Sequence, residues 1–158
     1  VAVISDKKDA HVLTRAQKAH IETFTIPMVP DRAQWDRELE TLIAALKPDL
    51  VVSAGFMRIL SERITSRFKI INSHPALLPL FPGAHAVRDA LAAGVAVTGS
   101  TVHWVDEGVD TGKIIRQREV EVLQGDTEES LHERIKIVER TLIVETLVEY
   151  SLNKLKVV

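Results

Sequence analysis

Four short apolar runs, residues Val1 to Ser5, Thr23 to Ile26, Leu50 to Ala54 and Lys69 to Ile71, alternate with stretches of helical periodicity. That alternation restricts the chain to few architectures. Continuous apolar runs read as strands buried on both faces, and strands spaced by helices belong to a parallel sheet. The intervening helices are expected over Lys8 to His20 and Asp31 to Lys47, the second with Trp35, Leu39, Leu42, Ile43 and Leu46 at helical spacing and Pro48 as its stop. Shorter helices are expected over Ser61 to Arg67 and over Ala86 to Ala93, where Gly94 takes the C′ position. After Gly94 the pattern changes. Thr98 to Val105 and Lys113 to Val122 alternate as half-buried strands do, and a long helix starts near Asp126 or Thr127 with Leu131, Ile135, Val138 and Leu142 on its core stripe. The expected fold is α/β: a doubly wound, mostly parallel sheet with an antiparallel edge in its second half. The 158 residues fit a single domain, 1–158, without repeat or linker.

Chemistry concentrates where the fourth apolar run ends. Asn72, Ser73, His74 and Pro75 follow Phe68-Lys69-Ile70-Ile71, and Asp110 lies in the later loop Asp106-Glu107-Gly108-Val109-Asp110-Thr111-Gly112. Residues i and i+2 of a strand share a face, so Asn72 and His74 present an amide and an imidazole to one space. A carboxylate beside them would complete the set that acyl transfer uses, with a donor for an oxyanion, a group for proton traffic and a charge to orient it. Asp110 next to His74 would favour the imidazolium. Open parallel sheets also deliver functional groups at the C-terminal ends of their strands. Taken singly, Asn72 caps turns and His74 is a loop histidine; Pro75, Pro79, Pro82 and Gly83 stiffen the segment that follows and make the pair more than a coincidence.

Composition narrows the partners. A formal net charge of -2 with scattered basic residues gives no electrostatic footprint for nucleic acid or an anionic membrane surface. The absence of cysteine excludes disulfides, thiolate ligands and a cysteine nucleophile, and suits the cytoplasm. None of the six histidines shows a paired ligand spacing, so no metal is expected. His85 and His103 read as structural. The chain opens on Val1-Ala2-Val3-Ile4 with no initiator methionine or basic leader, and reads as a fragment that starts within a strand.

Two further segments carry weaker signals. Gly55-Phe56-Met57-Arg58-Ile59-Leu60 follows a strand and could line a pocket for a flat aromatic ligand, although core packing is the ordinary role of Met57, Ile59 and Leu60. On the last helix His132, Lys136 and Glu139 share one flank, where a solvated ion pair is the ordinary reading and contact with a charged substrate the sharper one.

Three strings together, Ala54-Gly55-Phe56-Met57-Arg58-Ile59-Leu60, Asn72-Ser73-His74-Pro75-Ala76-Leu77-Leu78-Pro79 and Asp106 through Gly112, resemble the phosphoribosylglycinamide formyltransferases, a branch of the folate-dependent formyltransferase family. The resemblance covers nearly the whole chain. It implies transfer of a formyl group from 10-formyltetrahydrofolate, as co-substrate, to the amine of glycinamide ribonucleotide in purine biosynthesis. It implies Asn72, His74 and Asp110 as the catalytic residues, with no metal. Met57, Arg58, Ile59, Leu60 and Val105 would contact the folate, and Lys136 and Glu139 the ribonucleotide. A monomer or a homodimer would suffice.

One departure from the family pattern stands out. The strand and Gly-x-Gly-Ser loop that hold the substrate phosphate at a helix N-terminus are absent ahead of Val1, and the chain stops short of a last strand. The expectation is a truncated copy with weak or no activity of its own and an association-prone sheet edge. The alternatives are a formyltetrahydrofolate deformylase, which needs no phosphate loop, and a non-catalytic folate-binding module.

Overall fold

The structure, a computed structural model, describes residues 2–153, which divide into two compact units, one ending at Asp49 and the other beginning at Leu50. The first unit pairs β1 (Ala2–Ser5) in parallel with β2 (Glu22–Thr25) through the crossover helix α1 (His11–Lys18), in the register Ala2 to Glu22 and Ser5 to Thr25. Helix α2 (Arg32–Leu46) follows. Asp31 caps it by accepting from the Gln34 amide at 3.1 Å, and Lys47 ends it in the left-handed conformation just before Pro48. Trp35 is almost fully buried, and its indole N–H donates to the Ile26 carbonyl at 3.0 Å, so the ring meets the apolar core without an orphaned donor. Leu39 and Ile43 continue the stripe.

The second unit is built on four strands in the order β3-β4-β5-β6: β3 (Val51–Ser53), β4 (Ile70–His74), β5 (Val97–Trp104) and β6 (Ile114–Glu121). The β3/β4 pair is parallel, while β4/β5 and β5/β6 are antiparallel, which is the change of character expected after Gly94. Helix α3 (Glu62–Thr65) connects β3 to β4, and α4 (Ala86–Ala92) lies between β4 and β5 and is followed by Gly94 at φ +65°. Strand β4 runs on through His74, three residues beyond the apolar run, because Asn72, Ser73 and His74 each find a partner on β5.

Helix α5 (Glu128–Ser151) closes the fold over one sheet face. It begins at Thr127 with a capping box, in which Thr127 and Ser130 satisfy each other's backbone amides at 3.1 and 3.0 Å. Its buried stripe, Leu131, Ile135, Leu142 and Thr146, packs into two clusters. Leu142 meets Ile71, Val102 and Ile115, and Leu131 and Ile135 meet Val87 and Val120. Arg116 and Arg118 of β6 reach Glu145 at 3.1 and 2.8 Å, and Arg116 also reaches Glu149 at 2.6 Å, tying the exposed rim of the sheet to the helix.

Candidate active site

The antiparallel register of β4 with β5 sets Asn72 opposite His103 and His74 opposite Thr101, so four side chains share one face. The consequence is direct for Asn72: its Nδ2 lies 3.3 Å from His103 Nε2. His103 in turn points Nδ1 at the Trp104 carbonyl, 2.8 Å away. A carbonyl only accepts, so Nδ1 carries the hydrogen. Nε2 faces both the Asn72 amide and the Asp110 carboxylate: without a hydrogen it accepts from Asn72, and with one it donates to Asp110. Both histidines are buried.

Asp110 reaches this face from the loop between β5 and β6. Its backbone has φ +55°, a left-handed conformation that aspartate tolerates better than most residues. The turn is held from both sides. Asp106 accepts from the Gly108 amide at 3.1 Å and from Thr111 Oγ1 at 2.7 Å. A Cβ at Gly112 would overlap the Trp104 carbonyl, and one at Gly108 would overlap the Thr111 side chain. So constrained, Asp110 places Oδ2 3.3 Å from His74 Nδ1 and Oδ1 3.5 Å from His103 Nε2, and accepts from the Gly83 amide at 2.8 Å. The contact with His103 is the largest influence holding the carboxyl at about 2, below its usual 3.8, assisted by the Gly83 amide and the charge of His74 and opposed by burial. It is an anion throughout the neutral range.

The proline-rich segment supplies the other walls. Thr101 Oγ1 donates to the Ala76 carbonyl at 2.6 Å and accepts from the Leu78 amide at 3.0 Å, and Gln117 Nε2 bonds both Thr101 Oγ1 and the Leu78 carbonyl, at 2.9 and 2.8 Å. Held there, the segment turns at Phe81, φ +54°, and brings the Phe81 carbonyl 2.8 Å from His74 Nε2. Both nitrogens of His74 therefore face acceptors. Only the doubly protonated ring makes both contacts hydrogen bonds.

The three residues singled out as catalytic thus converge. His103, read from the sequence as structural, stands among them, because strand register rather than spacing brings it opposite Asn72. The Gly83 amide and the Phe81 carbonyl are backbone groups and leave no trace in a motif. In the loop after β3, Met57 and Ile59 are 68% and 56% exposed, so the ordinary expectation of core packing holds only for buried Leu60. Arg58 is exposed, and half-buried Val105 donates its amide to the Ile70 carbonyl at 2.8 Å. Lys136 and Glu139 are engaged separately, Lys136 with Glu133 at 2.6 Å and Glu139 with Ser73 at 2.7 Å. His132 and Lys136 also line an open groove of about 420 Å³ with Glu128, Glu129 and Glu133. Among the described residues no set of three or more His, Cys, Asp or Glu side chains is placed to hold a metal ion.

The model of a family described as "Formyl transferase" matches residues 1–147. A phosphoribosylglycinamide formyltransferase of Mycobacterium tuberculosis is 48% identical over all of this chain, which spans 75% of that relative. The trifunctional purine biosynthetic protein adenosine-3 of Bos taurus is 43% identical over 93% of the chain, corresponding to 15% of its own length. Among solved structures, glycinamide ribonucleotide transformylase 1 from Symbiobacterium toebii superimposes with a TM-score of 0.89 at 44% identity, covering 92% of this chain and 71% of that one.

Proposed function

The chain belongs to the formyl transferase family, and from that premise we propose that it moves a formyl group from 10-formyltetrahydrofolate to the amine of glycinamide ribonucleotide, the activity named for its relatives. The family match runs across both compact units, over residues 1–147, and supports the proposal that the chain is one catalytic domain. The observation that carries the reading is the meeting of Asp110 with His74 at 3.3 Å on the face that also bears Asn72.

The chemistry follows from those groups. The acceptor amine attacks the formyl carbon, and the carbonyl oxygen becomes an oxyanion. Asn72, beside His103, has two amide hydrogens, of which at most one meets His103 while the other is available to that oxygen. The His74 imidazolium, held in place by Asp110 through Nδ1, adds a positive charge and, once Nε2–H exchanges the Phe81 carbonyl for the substrate, a proton for the departing folate nitrogen. Asp110, anionic and adjacent, balances the imidazolium and is proposed to orient a water that carries away the proton the amine must lose. The solvent-exposed apolar side chains of Met57 and Ile59 are the surface proposed for the flat folate ring, with Arg58, Leu60 and Val105 around them. Lys136 and Glu139 on α5 are proposed for the ribonucleotide. The protein is proposed to work in the cytoplasm, as a monomer or homodimer, without metal.

The test is an initial-rate assay that follows the folate product with and without glycinamide ribonucleotide. In the full-length protein acceptor-dependent turnover is expected, and replacing Asn72 or His74 by alanine should lower kcat about a hundredfold or more, the usual effect of removing one preorganised donor. Formate release that ignores the ribonucleotide would instead identify a hydrolase of the same folate. Folate binding untouched by these substitutions, with no turnover before or after them, would leave only a binding module.

A further inference from the structure

Strand β4 has two working faces. Asn72 and His74 lie on one, and the residues between and before them, Ser73 and Ile71, lie on the other, under α5. Ile71 packs against Leu142, and one helical turn earlier Glu139 meets Ser73, so α5 runs antiparallel to the strand and carries Glu139 to its tip. The Ser73 hydroxyl is buried and donates to Glu139 Oε1 at 2.7 Å, with the fully buried Ser100 hydroxyl 3.5 Å behind it. A serine hydroxyl has one hydrogen to give, and here it is given to Glu139. That bond engages a single carboxylate oxygen. The other, Oε2, takes no hydrogen from Ser73 and keeps its lone pairs for another donor, and Glu139 itself is packed by α5 over the tip of the strand whose opposite face bears the proposed catalytic pair.

We propose that Ser73 is a positioning residue for the acceptor: by holding Glu139 Oε1 it orients Oε2 to receive a hydroxyl or amine hydrogen of the ribonucleotide. This rests on the transfer reaction proposed above and adds to it the group that sets the acceptor's pose. The assignment explains why a hydroxyl stands in a strand position whose neighbour Ile71 is apolar. A valine there would pack as well and leave Glu139 free to choose among rotamers.

Kinetics with both substrates varied decides the matter. Ser73→Ala is expected to raise KM for glycinamide ribonucleotide about tenfold, the worth of one hydrogen bond to a charged group, with kcat and KM for the folate within about twofold of the parent. Glu139→Gln alone should raise the same constant, and the double variant should be no worse than Glu139→Gln, because Ser73 acts only through that carboxylate. Ser73→Thr, which keeps the hydroxyl, should recover most of the loss. The proposal is overturned if either single substitution leaves the acceptor KM unchanged, if the two effects multiply, or if the folate KM rises equally. Absence of transfer by the unsubstituted protein overturns the reaction itself, and the Ser73 assignment with it.

Discussion

Two loops leave strand ends in the second unit, and they are built in opposite ways. The loop from Asp106 to Gly112 is bonded to itself and to its surroundings at nearly every turn, and Asp110 at its bend makes contacts with His74, His103 and the Gly83 amide. The segment from Gly55 to Leu60 instead leaves Met57 and Ile59 largely in solvent. Groups that must meet developing charge gain from being fixed beforehand, since they then need no reorganisation during reaction. Apolar groups that only cover a ligand gain most when the ligand, not the protein, takes them out of water. The first loop has the construction of machinery and the second that of a receptor surface.

The strongest way to break that contrast is Gly112→Ala. The added methyl would strike the Trp104 carbonyl, a backbone atom fixed by the sheet, so the loop must shift as a body. A destabilisation of about 3 kcal/mol is expected, at the upper end for forced overpacking. Activity should fall further than for any single change at Asp110, because its contacts to both histidines move together. Chemical denaturation alongside initial rates measures both. A variant of parental stability and rate would show that the loop is not rigid.

How far the sequence exposed these differences depends on whether the information is local. The β4 tip was legible because an apolar run gives way to Asn72 and His74 at period two, and the end of α2 because Pro48 forbids another turn. Gly94 marked the end of α4 for the same kind of reason, its φ of +65° being costly for any other residue. His103 was not legible. Alternation along β5 puts it on a face with Thr101, yet which face, and opposite which residue, depends on pairing with a strand about thirty positions away, set by the whole sheet. The partners of Lys136 and Glu139 were hidden likewise: helical spacing placed both on one flank, whereas Ser73 enters from a different element. The exposed state of Met57 and Ile59 ran against their hydrophobicity, which is where a binding role competes with folding.

A gentler probe of the fixed loop is Asp110→Asn. Asparagine accepts the left-handed backbone and can still receive the Gly83 amide, so the change removes charge and little else. A fall of about a hundredfold in kcat/KM is expected, and the melting temperature at neutral pH should drop clearly, because the stabilisation carried by the anion is lost with its charge. The pH dependence supplies an independent check. The folded carboxyl sits at about 2 against 3.8 for the ordinary group, so its contribution to stability is complete above about pH 4 and disappears as the pH falls toward 2. Thermal unfolding of the variant across that window should therefore show a shallower acid decline than the parent. Equal slopes would mean that the anion is not held by its neighbours.

Met57→Ala should have the smallest effect, and it tests the other half of the contrast. Its side chain is 68% exposed, so truncation removes little buried area and should change unfolding free energy by no more than about 0.5 kcal/mol. If the folate ring covers this residue, the same truncation removes apolar contact only in the complex. A partial loss of the 1.5–3 kcal/mol available from burying a methionine corresponds to roughly a fivefold rise in KM for 10-formyltetrahydrofolate, with KM for the ribonucleotide unmoved. The separation of the two quantities is the informative result. A folded-state penalty without a donor effect would make Met57 a packing residue despite its exposure, whereas a donor effect without a folded-state penalty is the behaviour of a surface kept open for its ligand.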